Sequence, residues 1–212
     1  DSDSLAGHFA ARQVRLINDF EAIACALPFL TEQDTRVIGP GVRPQLSRAD
    51  FNVGVLGPGT GLGVAGLLGR SGLAYPVVGE GGHVGFAPET AQQSAVLTQL
   101  RKRFGRVSCE RVVSGPGLEN IFAALRAIHG RPERSIAAAE LFARAADNRD
   151  SMAFEAVNLF FEVLGQVAGD LVLQLGALDG IFIAGGMVQR YPEFLEESAF
   201  RTAFERKGRR HA

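Results

Sequence analysis

Cysteine is scarce in this chain, and no Cys-x-x-Cys pair occurs. The two cysteines, Cys25 and Cys109, cannot form a disulfide framework, so a reducing cytoplasm is the expected location. We expect each of them to be a small buried apolar side chain. Only four histidines occur, scattered along the sequence, which argues against a zinc site.

An excess of charge of either sign is also missing. The net charge is −1 and the isoelectric point is about 6.5, so neither nucleic acid nor an anionic membrane is an expected partner. The start, "DSDSLAGHFAARQ", has no basic and apolar leader for secretion. Because the sequence lacks a starting methionine and closes on the basic stretch "FERKGRRHA", we expect a segment of a longer protein.

What is present is typical of a globular α/β protein. Of the 212 residues, 46% are hydrophobic and 21% charged, which allows a core without disulfides or metals. Apolar spacing and glycine-rich turns predict elements along the whole chain. In order, they are a helix over residues 4–13, a strand in "VRLIN", a helix in "FEAIACALPFL", a polar connection over 31–50, two strands around "GPGTGLG", a strand and turn in "LAYPVVGEGGHVGF", helices in "SAVLTQLRKRFG", "GPGLENIFAALRAIHG" and "IAAAELFARAAD", a long helix over 152–175, a buried strand in "GIFIAGG", and helix in "PEFLEESAFRTAFERKG".

The long helix has apolar residues at intervals of three and four, with polar residues on the opposite face. Such an amphipathic pattern is typical of a helix in a protein core and differs from that of a membrane span.

The stretch "GPGTGLG", residues 57–63, is the first candidate for chemistry. It is not a Walker A loop, because no Gly-Lys-Ser/Thr follows, and Leu62 stands where a dinucleotide fingerprint needs its third glycine. Its alternatives are a plain hairpin turn or a hairpin whose backbone N–H groups bind an anion, with the Thr60 hydroxyl as a further donor. The second candidate, Gly185-Gly186 after an apolar strand, would let a flat ligand lie against the backbone, although strand-to-helix loops favour glycine anyway.

Polar side chains in three other places could bind or activate a hydroxyl group. Asp19, beside Asn18, is either a general base or the cap of the following helix. Glu80 and His83 flank two glycines, which suits a polyol ligand or an ordinary tight turn. Glu110 is either a solvated surface carboxylate or a further side chain that binds a hydroxyl group.

The joint order of these blocks resembles one family. "INDFEAIACALP", "GPGTGLGVA", "GEGGHVGFAP", "ERVVSGPGL", "FIAGGMVQR" and "FRTAFERKGR" are similar to the bacterial ATP-dependent glucokinases, which are hexokinase-type sugar kinases. The resemblance covers nearly the whole chain. It implies an α/β, actin-like ATPase (ribonuclease H-like) fold, mostly the large lobe with a remnant of the small lobe.

The resemblance also implies a role for each candidate residue. Asp19 would take the proton of the sugar 6-hydroxyl, and the other hydroxyls of glucose would bind Asn18, Glu80, His83 and Glu110. The phosphates of ATP would bind the hairpin that contains Gly57, Gly59, Thr60 and Gly61. The adenosine would lie over Gly185 and Gly186. No side chain is expected to ligate a metal, because Mg²⁺ would bridge phosphate oxygens. The resemblance further suggests a homodimer, and the cytoplasm is its expected location.

The sequence also departs from the family, because the Asp-x-Gly-Gly-Thr turn that grips phosphates and metal is absent. We therefore expect residues 1–30 to be the end of the small lobe, 31–50 the connection and 51–212 the large lobe, and we expect no turnover of ATP by this segment alone. Two alternatives stay open, namely a non-catalytic sugar-sensing module of a regulator and a kinase for another hexose.

Overall fold

The computed structural model describes residues 2–132, 134–147 and 150–210. The predicted segments that begin at residue 1 or end at residue 212 therefore extend slightly beyond the described residues. The helices are α1 (Ser2–His8), α2 (Asp19–Ala26), α3 (Ala91–Phe104), α4 (Gly115–Ile128), α5 (Ala138–Ala146), α6 (Ser151–Leu175), α7 (Gly186–Arg190), α8 (Pro192–Glu197) and α9 (Phe200–Glu205). The strands are β1 (Phe51–Pro58), β2 (Leu62–Arg70), β3 (Leu73–Val78) and β4 (Gly180–Ile183). Short 3-10 turns cover Leu27–Phe29, Gly81–His83, Cys109–Arg111 and Gly208–Arg210.

The four strands form one mixed sheet in the order β3-β2-β1-β4. Strands β1 and β2 form the predicted antiparallel hairpin, with Phe51 opposite Gly69 and Pro58 opposite Leu62. After the helical part of the chain, β4 returns to pair in parallel with β1. Antiparallel strands, a run of helices and a returning parallel strand make the α/β arrangement that the sequence predicts.

One face of the sheet is covered by α6, which also packs against α4, α5 and α9. Glycines in the strands allow this close packing: a side chain at Gly54 would lie 3.3 Å from Leu171, and one at Gly66 would lie 2.7 Å from Leu175. By length and composition α6 could cross a membrane, but 67% of its most apolar window is buried inside the protein. The packing supports the predicted core helix.

The opposite face of the sheet is covered by α2. Phe20 and Ala24 of this helix, with Leu27 after it, form a second hydrophobic cluster with β1 and β2. The strand residues of this cluster are Phe51, Val53, Val55, Ala65 and Leu67. The helix that begins at Asp19 is therefore held against the glycine hairpin by apolar burial, the main driving force of folding. The division of the chain at residues 30 and 50 stays a prediction.

Helices α6 and α9 touch through their backbones. A side chain at Gly165 would overlap the carbonyl group of Phe200, and one at Gly169 would overlap that of Phe204. Lys207, just after α9, donates to the Gln166 carbonyl at 3.0 Å and to the Asp170 carboxylate at 2.7 Å. The two glycines thus set the helix separation, and Lys207 holds the end of α9 in place.

Several expectations for local structure were wrong. "VRLIN" forms no strand, because a strand depends on packing of its side chains against neighbours, whereas Leu16 and Ile17 are 63% and 45% exposed. Helix α1 ends at His8 instead of Gln13. Cys25 is exposed on α2, whereas Cys109 is buried as expected. The strand β4 is half-buried rather than fully buried.

Candidate functional site

The tip of the β1–β2 hairpin is held by backbone hydrogen bonds on two sides. The Gly59 N–H donates to the Gly61 carbonyl at 2.8 Å, and the Gly115 N–H, at the start of α4, donates to the Gly59 carbonyl at 2.8 Å. Thr60 lies between these glycines and is exposed. A side chain at Gly59 would meet nothing within 4 Å. The tip is therefore fixed in position but open on the side where Gly59 and Thr60 lie.

The end of β4 lies directly against this hairpin. A side chain at Gly57 would lie 2.6 Å from the Ala184 carbonyl oxygen, and one at Gly185 would lie 2.5 Å from the Pro58 carbonyl oxygen. Gly185 also has a φ of 94°, which disfavours any other residue. Gly186 begins α7 and has open space around it. The structure thus brings the two predicted nucleotide-binding motifs into contact.

Glu110 contacts the same hairpin from the other side. Its Oε2 accepts a hydrogen bond from the Leu62 N–H at 3.0 Å, and a side chain at Gly61 would overlap this carboxylate oxygen. The 3-10 turn Cys109–Arg111 carries Glu110, and the Glu110 carbonyl accepts from the Ser114 hydroxyl at 2.7 Å. Glu110 is half-buried. It is therefore part of the packed hairpin surroundings and not a fully solvated surface carboxylate.

The Glu80–His83 segment is a tight turn whose polar side chains are free to contact solvent. A side chain at Gly82 would overlap the Leu62 carbonyl oxygen, so the turn packs against the start of β2. The side chains of Glu80 and His83 are 80% and 60% exposed, with Oε2 and Nε2 3.9 Å apart. The His83 carbonyl accepts from Arg106 at 2.8 Å. The segment is therefore a tight turn, and its Glu80 and His83 side chains are still available to a ligand.

Asn18 and Asp19 stand at the start of α2. Asn18 is the N-cap, and its Oδ1 accepts from the Phe20 N–H at 2.8 Å. The Asp19 Oδ1 also accepts from this N–H, at 2.9 Å. Both side chains are exposed. The capping role that the sequence left open for Asp19 thus belongs mainly to Asn18, and Asp19 lies in the first turn, where the helix dipole favours a carboxylate.

Phe20 connects this helix to the hairpin, because its ring fills the space beside Gly63. The first residues of β2 therefore contact three separate parts of the chain: α2 at Gly63, the Glu80–His83 turn at Leu62, and Glu110 at Gly61 and Leu62. Sequence reasoning missed Phe20, Gly115 and Arg106. The position of Phe20 directly after Asn18 and Asp19 was the available signal for this residue. Nothing in the sequence indicated that its ring packs beside Gly63.

No group of three or more histidine, cysteine, aspartate or glutamate side chains suited to a metal ion occurs among the residues that the structure describes. The donors at the hairpin tip are backbone groups and the Thr60 hydroxyl. Such donors suit an anion better than a cation.

The fold is that of sugar kinases with the actin-like ATPase fold, as solved relatives show. A glucokinase from an Antarctic psychrotroph superposes with a TM-score of 0.87 at 35% identity, over 97% of this chain and 63% of its own. A glucokinase from Balamuthia mandrillaris, solved in complex with glucose, gives a TM-score of 0.59 at 25% identity, over 76% of this chain and 47% of its own. The predicted fold class is therefore confirmed.

The model of the glucokinase family matches residues 1–212. The chain therefore belongs to the glucokinase family, as the resemblance in its motifs implied. The glucokinase of Xylella fastidiosa (strain 9a5c) is 46% identical over 198 residues, which cover 92% of this chain. The chain spans 58% of the length of that relative.

Proposed function

We propose that this chain carries the sugar site and part of the nucleotide site of an ATP-dependent glucokinase, which transfers the γ-phosphoryl group of ATP to the 6-hydroxyl of glucose. The observation that carries this proposal is the meeting of α2, the Glu80–His83 turn and Glu110 at the start of β2, beside the hairpin tip. The product is glucose 6-phosphate, and the cytoplasm is the proposed location.

Glucose is proposed to bind to Asn18, Glu80, His83 and Glu110. Each sugar hydroxyl both donates and accepts a hydrogen bond, so carboxylates, an amide and a neutral imidazole fit it better than cations. Glu110 is also fixed through Oε2 by the Leu62 N–H. A polar partner left unpaired by the wrong epimer would cost about 1–3 kcal/mol, which supports selection among hexoses.

Asp19 is the proposed general base. A lone pair of the sugar O6 attacks the γ-phosphorus, the bond from this phosphorus to the β–γ bridging oxygen breaks, and ADP leaves. The proton of the 6-hydroxyl passes to the Asp19 carboxylate. The exposed position of Asp19 at the start of α2 leaves its second carboxylate oxygen accessible to a substrate.

The phosphates of ATP are proposed to bind at Gly57–Gly63 through backbone N–H groups and the Thr60 hydroxyl. Gly185 and Gly186 would lie beneath the adenosine. Mg²⁺ enters this proposal as part of the Mg–ATP substrate, held through phosphate oxygens, because hairpin donors of this kind do not form a metal cage. A homodimer is the proposed assembly.

The test is Asp19→Asn in the full-length protein. Asparagine keeps the oxygen that accepts from the Phe20 N–H, so the start of the helix should persist. We expect kcat to fall by a factor of about 100 to 10,000, while the affinity for glucose changes only a few-fold. The matched control is Asp3→Asn, since Asp3 is an exposed carboxylate in the first turn of α1, and this variant should keep full activity.

Other outcomes would overturn parts of the proposal. Glucose binding without any kinase activity in the wild-type full-length protein would favour the sugar-sensing module. A higher kcat/KM for mannose or fructose than for glucose would favour a kinase for another hexose. Unchanged kcat in Asp19→Asn would remove Asp19 from the proposed mechanism.

A further inference from the structure

A cavity of about 200 Å³ lies between the C-terminal end of α3 and the first turns of α4, and none of its lining residues is among those assigned above to sugar and nucleotide. The segment that leads into α5 closes one side of it. Its polar lining residues are Arg103, Arg111, Arg134, Glu119, Asn120 and Ser135. Three of these six side chains are arginines.

Two of these arginines are held by the same aromatic ring. The guanidinium groups of Arg103 and Arg111 lie 4.8 and 4.4 Å from the centre of the Phe104 ring. Stacking of this kind uses the flat face of a guanidinium group and leaves N–H donors at its edge. The side chains are therefore ordered in advance, which lowers the entropy that binding a ligand would cost.

A buried asparagine adds to this order. Asn120 is only 5% exposed, its Oδ1 accepts from Arg103 at 3.1 Å, and its Nδ2 donates to the Arg111 carbonyl at 3.0 Å. One amide thus ties the end of α3 to the 3-10 turn Cys109–Arg111. The arrangement of Phe104, Arg103, Asn120 and Arg111 is built into the fold.

Little negative charge opposes these arginines. In the described part of the chain, Arg103, Arg111 and Arg134 make no ion pair with a carboxylate. Glu119 is the carboxylate in the lining, and its Oε1 accepts from the Ala138 N–H at 3.1 Å, at the start of α5. Three positive charges and one negative charge leave a net charge that a phosphate dianion would balance.

We propose that this cavity is a binding site for a phosphate-bearing small molecule, separate from the ATP site. Arg103 and Arg111, which both contact the Phe104 ring, would bind the phosphate oxygens, and Arg134 and the Ser135 hydroxyl would complete the set of donors. The volume admits a phosphate group with a small organic substituent but not a polymer.

One backbone hydrogen bond lies between the cavity and the hairpin. Pro116 lines the cavity, and the preceding residue, Gly115, donates its N–H to the Gly59 carbonyl at 2.8 Å. A ligand that orders the start of α4 would thus act next to the hairpin tip. The binding of phosphate itself does not depend on the kinase activity proposed above.

The experiment measures binding of inorganic phosphate to the full-length protein by titration calorimetry. The ATP site and the sugar site are first saturated with a non-hydrolysable ATP analogue and glucose, so that phosphate cannot enter them. The variants are Arg103→Gln, Arg111→Gln and Arg134→Gln. The matched control is Arg101→Gln, because Arg101 is an exposed arginine on α3 that does not line the cavity.

We expect saturable binding that weakens about tenfold for each cavity arginine replaced, as for loss of a charge-assisted hydrogen bond, and that changes less than about twofold in the control.

A second titration with glucose 6-phosphate distinguishes the source of the phosphate group. Tighter binding than inorganic phosphate with the same arginine dependence identifies an organic phosphate, and equal binding identifies the free ion. Absence of saturable binding by both probes, or equal affinity in all variants, overturns the proposal. If Arg103→Gln or Arg111→Gln fails to fold by circular dichroism, Arg134→Gln, in the exposed segment before α5, decides the question.

Discussion

The hairpin Gly57–Gly63 and the turn Glu80–His83 are both glycine-rich, but their glycines serve different purposes. In the hairpin, Gly57 and Gly63 are crowded by the Ala184 backbone and the Phe20 ring, whereas Gly59 has open space. In the turn, Gly82 is crowded by the Leu62 backbone, while the flanking Glu80 and His83 side chains are largely exposed. Both motifs therefore contain scaffold positions and open positions, and only the open ones are available to a ligand.

A large effect on stability is expected for a scaffold glycine of the hairpin. In Gly57→Ala the new methyl group would lie 2.6 Å from the Ala184 carbonyl oxygen, a backbone atom that cannot rotate away. We expect the free energy of unfolding to fall by about 1–3 kcal/mol, as for other overpacked sites, measured by urea denaturation. Gly59→Ala is the matched control, and a loss of stability there as large as in Gly57→Ala would contradict the distinction between scaffold and open positions.

Glu110 contacts the hairpin through the Leu62 N–H, and two substitutions separate this structural contribution from its proposed contribution to glucose binding. Glu110→Ala leaves the Leu62 N–H without its acceptor and should lower the free energy of unfolding by about 1–3 kcal/mol. Glu110→Gln keeps an acceptor oxygen, so its stability should stay within about 1 kcal/mol of the wild type, while the affinity for glucose falls by roughly tenfold. Both quantities are measured on the full-length protein. Wild-type glucose affinity in Glu110→Gln would leave Glu110 with a purely structural role.

The smallest effect is expected for the two thiols. One of them is buried and the other is exposed, just as the scaffold glycines are crowded and the open glycines are not. Burial, with the nearby negative charge of Asp170, raises the pKa of Cys109 to about 11, so at pH 8 only roughly one thiol in a thousand is ionised. Cys25 is exposed. Ellman's reagent should modify one thiol rapidly in the native chain and two after denaturation, and Cys25→Ser should abolish the rapid phase. Rapid modification of both native thiols would contradict this difference between Cys25 and Cys109.

The raised pKa of Cys109 also predicts how stability depends on pH. Since Cys109 stays protonated, its contribution to the free energy of unfolding should be complete below pH 8 and decline as the pH approaches 11.

Local patterns in the sequence predicted the regular elements well. The hairpin strands and the long helix are where alternation and helical spacing placed them, because each of these elements buries an apolar face. "VRLIN" shows the limit of this reasoning. Its β-branched residues favour a strand, but a strand needs side chains packed against neighbours, and residues 15–18 run as exposed chain before α2.

The contacts that assemble the candidate site could not be predicted in this way. Phe20 fills the space beside Gly63, and Glu110 accepts from the Leu62 N–H, between parts of the chain that are distant in sequence. Neither contact leaves a local periodicity. Residue type and position had singled out Asp19, Glu80 and His83, but their specific roles in catalysis and sugar binding came from the family resemblance and stay predictions.

The glycine contact between α6 and α9 has a consequence for how these two helices move. The Phe200 backbone of α9 rests directly on Gly165, and the Phe204 carbonyl rests on Gly169 beside the Lys207 side chain, so the close backbone contact resists gradual sliding. The two helices should therefore travel as one rigid block, and any hinge must bend in segments outside them.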